Sequence, residues 1–174
     1  LFLAPFNTGR STIALLYGLD VIFNKHRSVL FVSSNSFEKE LEKNLLEKIL
    51  IESKLDWLVD IHDIKQEIKE GKYIGLFPGI YILEAKDLHR FLLPNHNKYS
   101  SLFESLGLII FDDFEKFSGN LASNIHFINK RFDLICSFYN KDRDPIQYLV
   151  LSKPFHESKS IVESIFERNF EIIY

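Results

Sequence analysis

The chain has 174 residues, 46% of them apolar, and a formal net charge of −3. That length supports one well-buried core and is short for two, and the charge announces no overall basic field of the kind that binds nucleic acid indiscriminately. A single cysteine, Cys136, excludes an internal disulfide and a cysteine-rich zinc site, while no apolar run approaches the roughly 20 residues that cross a bilayer. In chain order, apolar periodicity predicts a strand over 1–4, a helix over 11–24 carrying Ile13, Leu15, Leu16, Leu19 and Ile22, and a strand over 28–33. Ser34 to Ser36 then offer capping side chains to a helix from Phe37 past Leu50, whose Glu38, Lys39, Glu40, Glu42 and Lys43 read as a solvated face. A third strand is expected over 57–61, a short charged helix over 63–69 closed by Gly71, and a strand over 79–83. A helix over 85–92 is stopped by Pro94, and the most apolar strand of the chain, 106–111, ends in Asp112 and Asp113. A long helix over 121–138, a strand over 147–151, a helix over 155–167 and a last strand over 170–174 complete the pattern.

Apolar runs that alternate with longer amphipathic stretches are the rhythm of βαβ units, so the class expected is α/β with a mainly parallel central sheet and one domain over 1–174. The absence of methionine and an opening directly in a strand pattern read as a segment of a longer polypeptide. The targeting signals of secreted chains are missing, and a cytoplasmic protein with no membrane partner is expected.

In open parallel sheets ligands bind at the carboxyl ends of strands, so the residues just after each apolar run carry the functional reading. After the first strand, Ala4-Pro5-Phe6-Asn7-Thr8-Gly9-Arg10-Ser11-Thr12 reads as a phosphate-binding loop with arginine where lysine belongs. In such a loop Thr8, Gly9, Arg10, Ser11 and Thr12 would hold the phosphates of ATP, with the Ser11 hydroxyl on Mg²⁺. After 106–111, Asp112 would hold the same Mg²⁺ and Asp113 would position the attacking water. The plainer alternative for the acid pair is a turn that ends the strand and caps the next helix. The histidines show no metal-ligand spacing.

Three further segments resemble the first RecA-like lobe of DEAD/DEAH-box helicases, closest to large bacterial and archaeal DEAH-type DNA helicases. Leu92-Leu93-Pro94-Asn95-His96 matches a proline-containing segment that contacts nucleic acid in that family. The run from Leu106 to Asp113, then Phe117-Ser118-Gly119 and Lys130-Arg131-Phe132, matches its acidic strand, its glycine turn and its arginine-bearing helix. Leu151-Ser152-Lys153-Pro154 stands where the family has Ser-Ala-Thr, which gives Ser152 a coupling role. The resemblance implies a three-layer P-loop NTPase (RecA-like) fold, ATP and Mg as cofactors, nucleic acid as partner with DNA ahead of RNA, and a second RecA-like lobe in the same chain. It also places nucleic-acid contacts at Ser33, Ser34 and Asn35 and at Glu84, Ala85 and Lys86, where Glu84 would repel phosphate and the charge of Lys86, His89 and Arg90 would restore attraction. Capping of the following helix is an equal reading of the first three, and a solvated helix face explains Lys86, His89 and Arg90 as well.

The departures from the family pattern share one site. Arg10 has a larger, planar head than lysine, Asn7 replaces a glycine, Asp113 is one methylene shorter than the glutamate expected there, Glu115 replaces a histidine, and Lys153-Pro154 replace Ala-Thr. A misplacement of about 1 Å can lower a rate on the order of a hundredfold. The expectation is a helicase-like ATP-binding domain with weak or lost hydrolysis. The alternatives are a non-enzymatic pseudo-ATPase scaffold that contacts DNA or a protein, and an unrelated P-loop protein such as a small nucleotide kinase.

Overall fold

The computed structural model describes residues 1–5, 9–117, 120–141, 144–155 and 157–173, without side chains at 120–123. Its strands are β1 (Phe2–Leu3), β2 (Ser28–Ser33), β3 (Ile61–Asp63), β4 (Ile80–Glu84), β5 (Leu106–Phe111) and β6 (Gln147–Ser152). They form one sheet in the order β1-β6-β5-β2-β4-β3, and every pairing is parallel. All residues of β2, β4 and β5 are buried, because helices cover both sides, and this is why those strands read as unbroken apolar runs.

Alternation along the strands divides the core in two. Val29, Phe31, Ile80, Ile82, Leu108 and Ile110 face one cluster with Leu15 and Leu19 of helix α1 (Arg10–Lys25) and Leu46 and Leu50 of α2 (Ser36–Glu52). Leu30, Val32, Leu83, Ile109 and Phe111 face the other, shared with Ile125, Phe132 and Cys136 of α6 (Asn120–Tyr139) and Val162 and Phe166 of α7 (Ser158–Phe166). Helix, sheet, helix is thus the layering. The short helices α3 (Ile64–Lys69), α4 (Ala85–Asp87) and α5 (Ser100–Ser105) lie between strands on the crossovers. The register of β2 on β5 slips between Ser28 and Val29, opposite Gly107. A Cβ at Gly107 would stand 2.7 Å from Arg27 Cβ, so the slip requires glycine. The buried Arg27 guanidinium then donates to the Leu106 and Asp144 carbonyls.

Several boundaries differ from the sequence expectations. The third strand begins at Ile61, where β4 supplies the partner Ile80, and not at Trp57, which is 77% exposed on a turn. The helix expected over 85–92 is α4 followed by a π-helical turn at Leu88–Leu92, with the Leu93 N–H bonded to the Leu88 carbonyl at 3.0 Å. On α1, Ile13 and Leu16 lie outward, and Ala14, Gly18 and Val21 complete the inward face. The last segment is a single parallel bridge between Phe2 and Ile173 on the β1 edge, with Tyr174 outside the described residues.

Candidate functional site

Read across the carboxyl ends of the sheet, the order is the loop after β1, Ser152 of β6, Asp112 and Asp113 after β5, Ser33 of β2 and Glu84 of β4. The topology therefore brings to one edge segments that are distant in sequence. Thr8, Asn7 and the turn at Ser118 and Gly119 lie outside the described residues.

Gly9 begins α1 in the left-handed region (φ 80°), a conformation that glycine adopts without a Cβ clash, and its carbonyl accepts the Ile13 N–H at 2.9 Å. No acid stands in the first turn of α1, so the positive end of the helix dipole meets the cleft without an acidic side chain from that turn. Ser11 Oγ donates to Asp112 Oδ2 at 2.6 Å, joining the loop to the end of β5. Burial pushes the Asp112 carboxyl up, the Ser11 hydrogen bond holds it down, and the Asp113 charge adds to the rise. Asp113 sits in the left-handed region (φ 49°), which a short polar side chain tolerates, and its N–H donates to Asp112 Oδ1 at 2.7 Å. This turn points the Asp113 carboxylate back at α1, where the buried Arg10 guanidinium pairs with Oδ1. The second oxygen, Oδ2, takes the Lys116 ammonium at 2.6 Å. Both oxygens of the expected water-positioning carboxylate thus hold cations.

Ser152 is fully buried, and Glu115 Oε2 accepts its hydroxyl at 3.0 Å and the Lys153 N–H at 3.2 Å. Glu115 also lies 3.8 Å from Arg10 Nη1, so the acidic turn, β6 and the start of α1 form one polar network. Thr12 is exposed at the cleft. The cleft itself, of about 580 Å³, runs from Gly9 and Arg10 past Asp112 to Leu41 and Leu45 on α2, a volume suited to a small-molecule ligand. Its oxygen donors, Ser11 and Asp112, fit Mg²⁺, which takes one or two protein oxygens and completes its shell with water and phosphate. Among the described residues no group of three or more histidine, cysteine or acid side chains could enclose a metal by itself.

Glu42 and Lys116 are among the cleft residues that the sequence did not single out. Lys39 and Glu42, expected on a solvated face, are each only 8% exposed, because 39, 42, 46 and 50 form the inward stripe of α2. Glu42 lines the cleft, accepts the Ser33 hydroxyl at 2.6 Å, and has its other carboxylate oxygen buried without a hydrogen bond. Burial, and next the charge of Asp112, pushes its carboxyl up to about 8. Lys39 pairs with Asp63 at the end of β3; burial works against that carboxylate's charge, but Lys39 and the Gln66 N–H outweigh it and lower its pKa. Lys116, the other missed residue, follows Asp113 by three in a 3₁₀ turn over Phe114–Lys116, a spacing visible in sequence.

The residues expected at nucleic acid are only partly presented. Ser33 is buried against Glu42, Ser34 is half-buried, and exposed Asn35 caps α2 by accepting the Phe37 and Glu38 N–H groups at 3.0 Å each. Ser33 pairs in register with Glu84, which sets the β2 and β4 segments side by side. Lys86 lies 2.6 Å from buried Glu84, and Lys65 lies 2.8 Å from Asp87, so these charges balance locally. His89 is exposed on the π-helical turn beyond them.

The chain is 28% identical over 144 residues to an uncharacterized ATP-dependent helicase, MJ1574, of Methanocaldococcus jannaschii, a match over 78% of this chain and 20% of that protein. It is 32% identical over 79 residues to the uncharacterized ATP-dependent helicase YprA of Bacillus subtilis, over 45% of this chain and 10% of YprA. A structure of the DUF1998 helicase MrfA bound to DNA and AMPPNP superposes with a TM-score of 0.81 at 22% identity, over 99% of this chain and 24% of MrfA. The fold is RecA-like, and the sequence is similar to those of ATP-dependent helicases. The RecA-like fold is shared more distantly with the DEAD-box helicase Mss116 bound to ssRNA and UDP-BeF, at a TM-score of 0.71 and 14% identity, over 98% of this chain and 35% of that one. No family model matches the sequence. The RecA-like domain spans about a fifth or less of the curated relatives it matches. No helix among its described residues is long and apolar enough to cross a membrane.

Proposed function

We propose that this domain binds ATP with Mg²⁺ in the cleft between α1, β5 and α2, and a nucleic-acid strand, DNA ahead of RNA, across the ends of β2 and β4. In this reading it works in the cytoplasm beside a second RecA-like lobe of the same polypeptide, with weak or lost hydrolysis. The observation that carries it is the 2.6 Å hydrogen bond from Ser11 to Asp112, which converges the two oxygens that a phosphate loop and an acidic strand end supply to Mg²⁺. When bound, the metal would neutralise phosphate charge. Arg10 and the N–H groups of the first turn of α1 bind phosphate oxygens, and Asp113 orients water once one of its two cations leaves.

The engagement of both Asp113 oxygens supports the reading of slow turnover, as does a guanidinium in place of a compact ammonium. It also favours the second reading, a scaffold that binds nucleotide without hydrolysing it. Calorimetry with ATP·Mg and DNA-stimulated phosphate release, both on the full-length protein, separate the two. Binding is expected in the wild type and a loss of at least tenfold in affinity with Asp112→Ala. Unchanged affinity in Asp112→Ala would remove the proposed site, whereas turnover that Asp112→Ala abolishes would remove the scaffold reading.

A further inference from the structure

We propose that Lys116 and Glu38 form an ionic relay through which occupancy of the phosphate cleft weakens the nucleic-acid contact at Ser34 and Asn35. The relay rests on the reading of the cleft as a nucleotide site. Lys116 Nζ stands between two acids, 2.6 Å from Asp113 Oδ2 and 2.7 Å from Glu38 Oε2, and all three line the cleft. Its backbone is fixed: Phe114 and Phe117 on either side are buried and stack at 5.5 Å between ring centroids. Its flexible four-carbon stem can carry a compact charge over several ångströms, and the side chain is 30% exposed.

Glu38 belongs to the first turn of α2, and its N–H donates to the Asn35 side chain at 3.0 Å. A single cation therefore links the acid expected to face the terminal phosphate with the turn expected to face the strand. The charge balance sets the sign of the coupling. A bound triphosphate brings several negative charges to the cleft and draws Lys116 from both carboxylates. Asp113 then has an oxygen for water, and Glu38 is left as an uncompensated anion beside Ser34 and Asn35, where it repels a phosphodiester backbone. By reciprocity, a bound strand lowers nucleotide affinity by the same factor. This path does not pass through Lys153-Pro154, where the residue types of the family's coupling segment are missing.

The test measures binding of a fluorescent single-stranded oligonucleotide to the full-length protein with and without saturating AMPPNP·Mg. AMPPNP is expected to weaken strand binding by about fivefold or more in the wild type. Lys116→Met and Glu38→Gln should each bring that ratio to within about twofold of one, and Lys116→Arg, which keeps the charge, should retain most of it. A purely structural role would shift both single-ligand affinities and leave the ratio alone. The relay is overturned if both variants keep the wild-type ratio, or if the wild type binds both ligands with a ratio of one or with mutual strengthening. A wild type that binds neither ligand would overturn the proposed function along with it.

Discussion

At the scale of single residues, position on a helix decided more than residue type. Lys39 and Glu42 are charged in a charged segment, and the sequence reading placed them in solvent with Glu38, Glu40 and Lys43. The stripe 39, 42, 46, 50 is equally legible in the sequence once its spacing is followed back from Leu50, but charge masked it. The consequence is a buried acid whose carboxyl is pushed up to about 8 from an ordinary 4.5, first by burial and then by Asp112. Between these two values the folded state binds a proton that the unfolded state has released, so this group makes stability fall as pH rises through the window. Glu42→Gln should remove that slope and raise stability at pH 8 relative to wild type. Urea denaturation at pH 5, 6.5 and 8 would show it, and a slope that persists in Glu42→Gln would mean that other groups set it. Arg10, Asp113 and Glu115 read in the sequence as departures that share one site. Folded, they are mutual partners, a longer cation against a shorter acid.

At the scale of elements, strands buried on both faces were the most readable. β2 and β5 fall where the apolar runs predicted, because a parallel strand covered on both sides cannot tolerate polar positions. Short edge elements were the least readable: β3 shifted toward its partner, since only Val59 among 57–60 turns inward and pairing with β4 begins at Ile61. Helix faces lie between these extremes. Leu46 is fully buried on α2 while its neighbour Leu45 is 42% exposed at the cleft rim. Leu46→Ala should therefore destabilise the domain by about 2–5 kcal/mol, and Leu45→Ala by roughly 0.5 kcal/mol or less. Chemical denaturation of the two variants measures the difference; equal losses would contradict the assigned face.

At the scale of the whole molecule, the loop that defines the cleft hangs from the shortest edge strand. β1 has two residues, with β6 on one side and, among the described residues, the Phe2–Ile173 bridge on the other. The Ile173 N–H donates to the Leu1 carbonyl at 2.9 Å and the Leu3 N–H to the Ile173 carbonyl at 3.2 Å. The segment at Ile173 thus braces the strand that leads toward Gly9 and α1. Ile173→Pro removes a donor from this brace and should lower stability by about 1–2 kcal/mol. Because the brace adjoins the loop, nucleotide affinity should fall as well. Thermal melting together with nucleotide titration tests both; a stability loss with unchanged nucleotide affinity would detach the brace from the cleft.

The sequence by itself determined the class, the strand-rich core and the two strand ends that border the cleft, because these rest on local periodicity and on residue types that few other environments accept. Only the tertiary structure decided which charges meet. The pairs Arg10 with Asp113 and Lys116 with Glu38 join residues that follow different strands. Their partners are chosen by the order β1-β6-β5-β2-β4, and strand order is a property of the closed sheet that no local pattern carries.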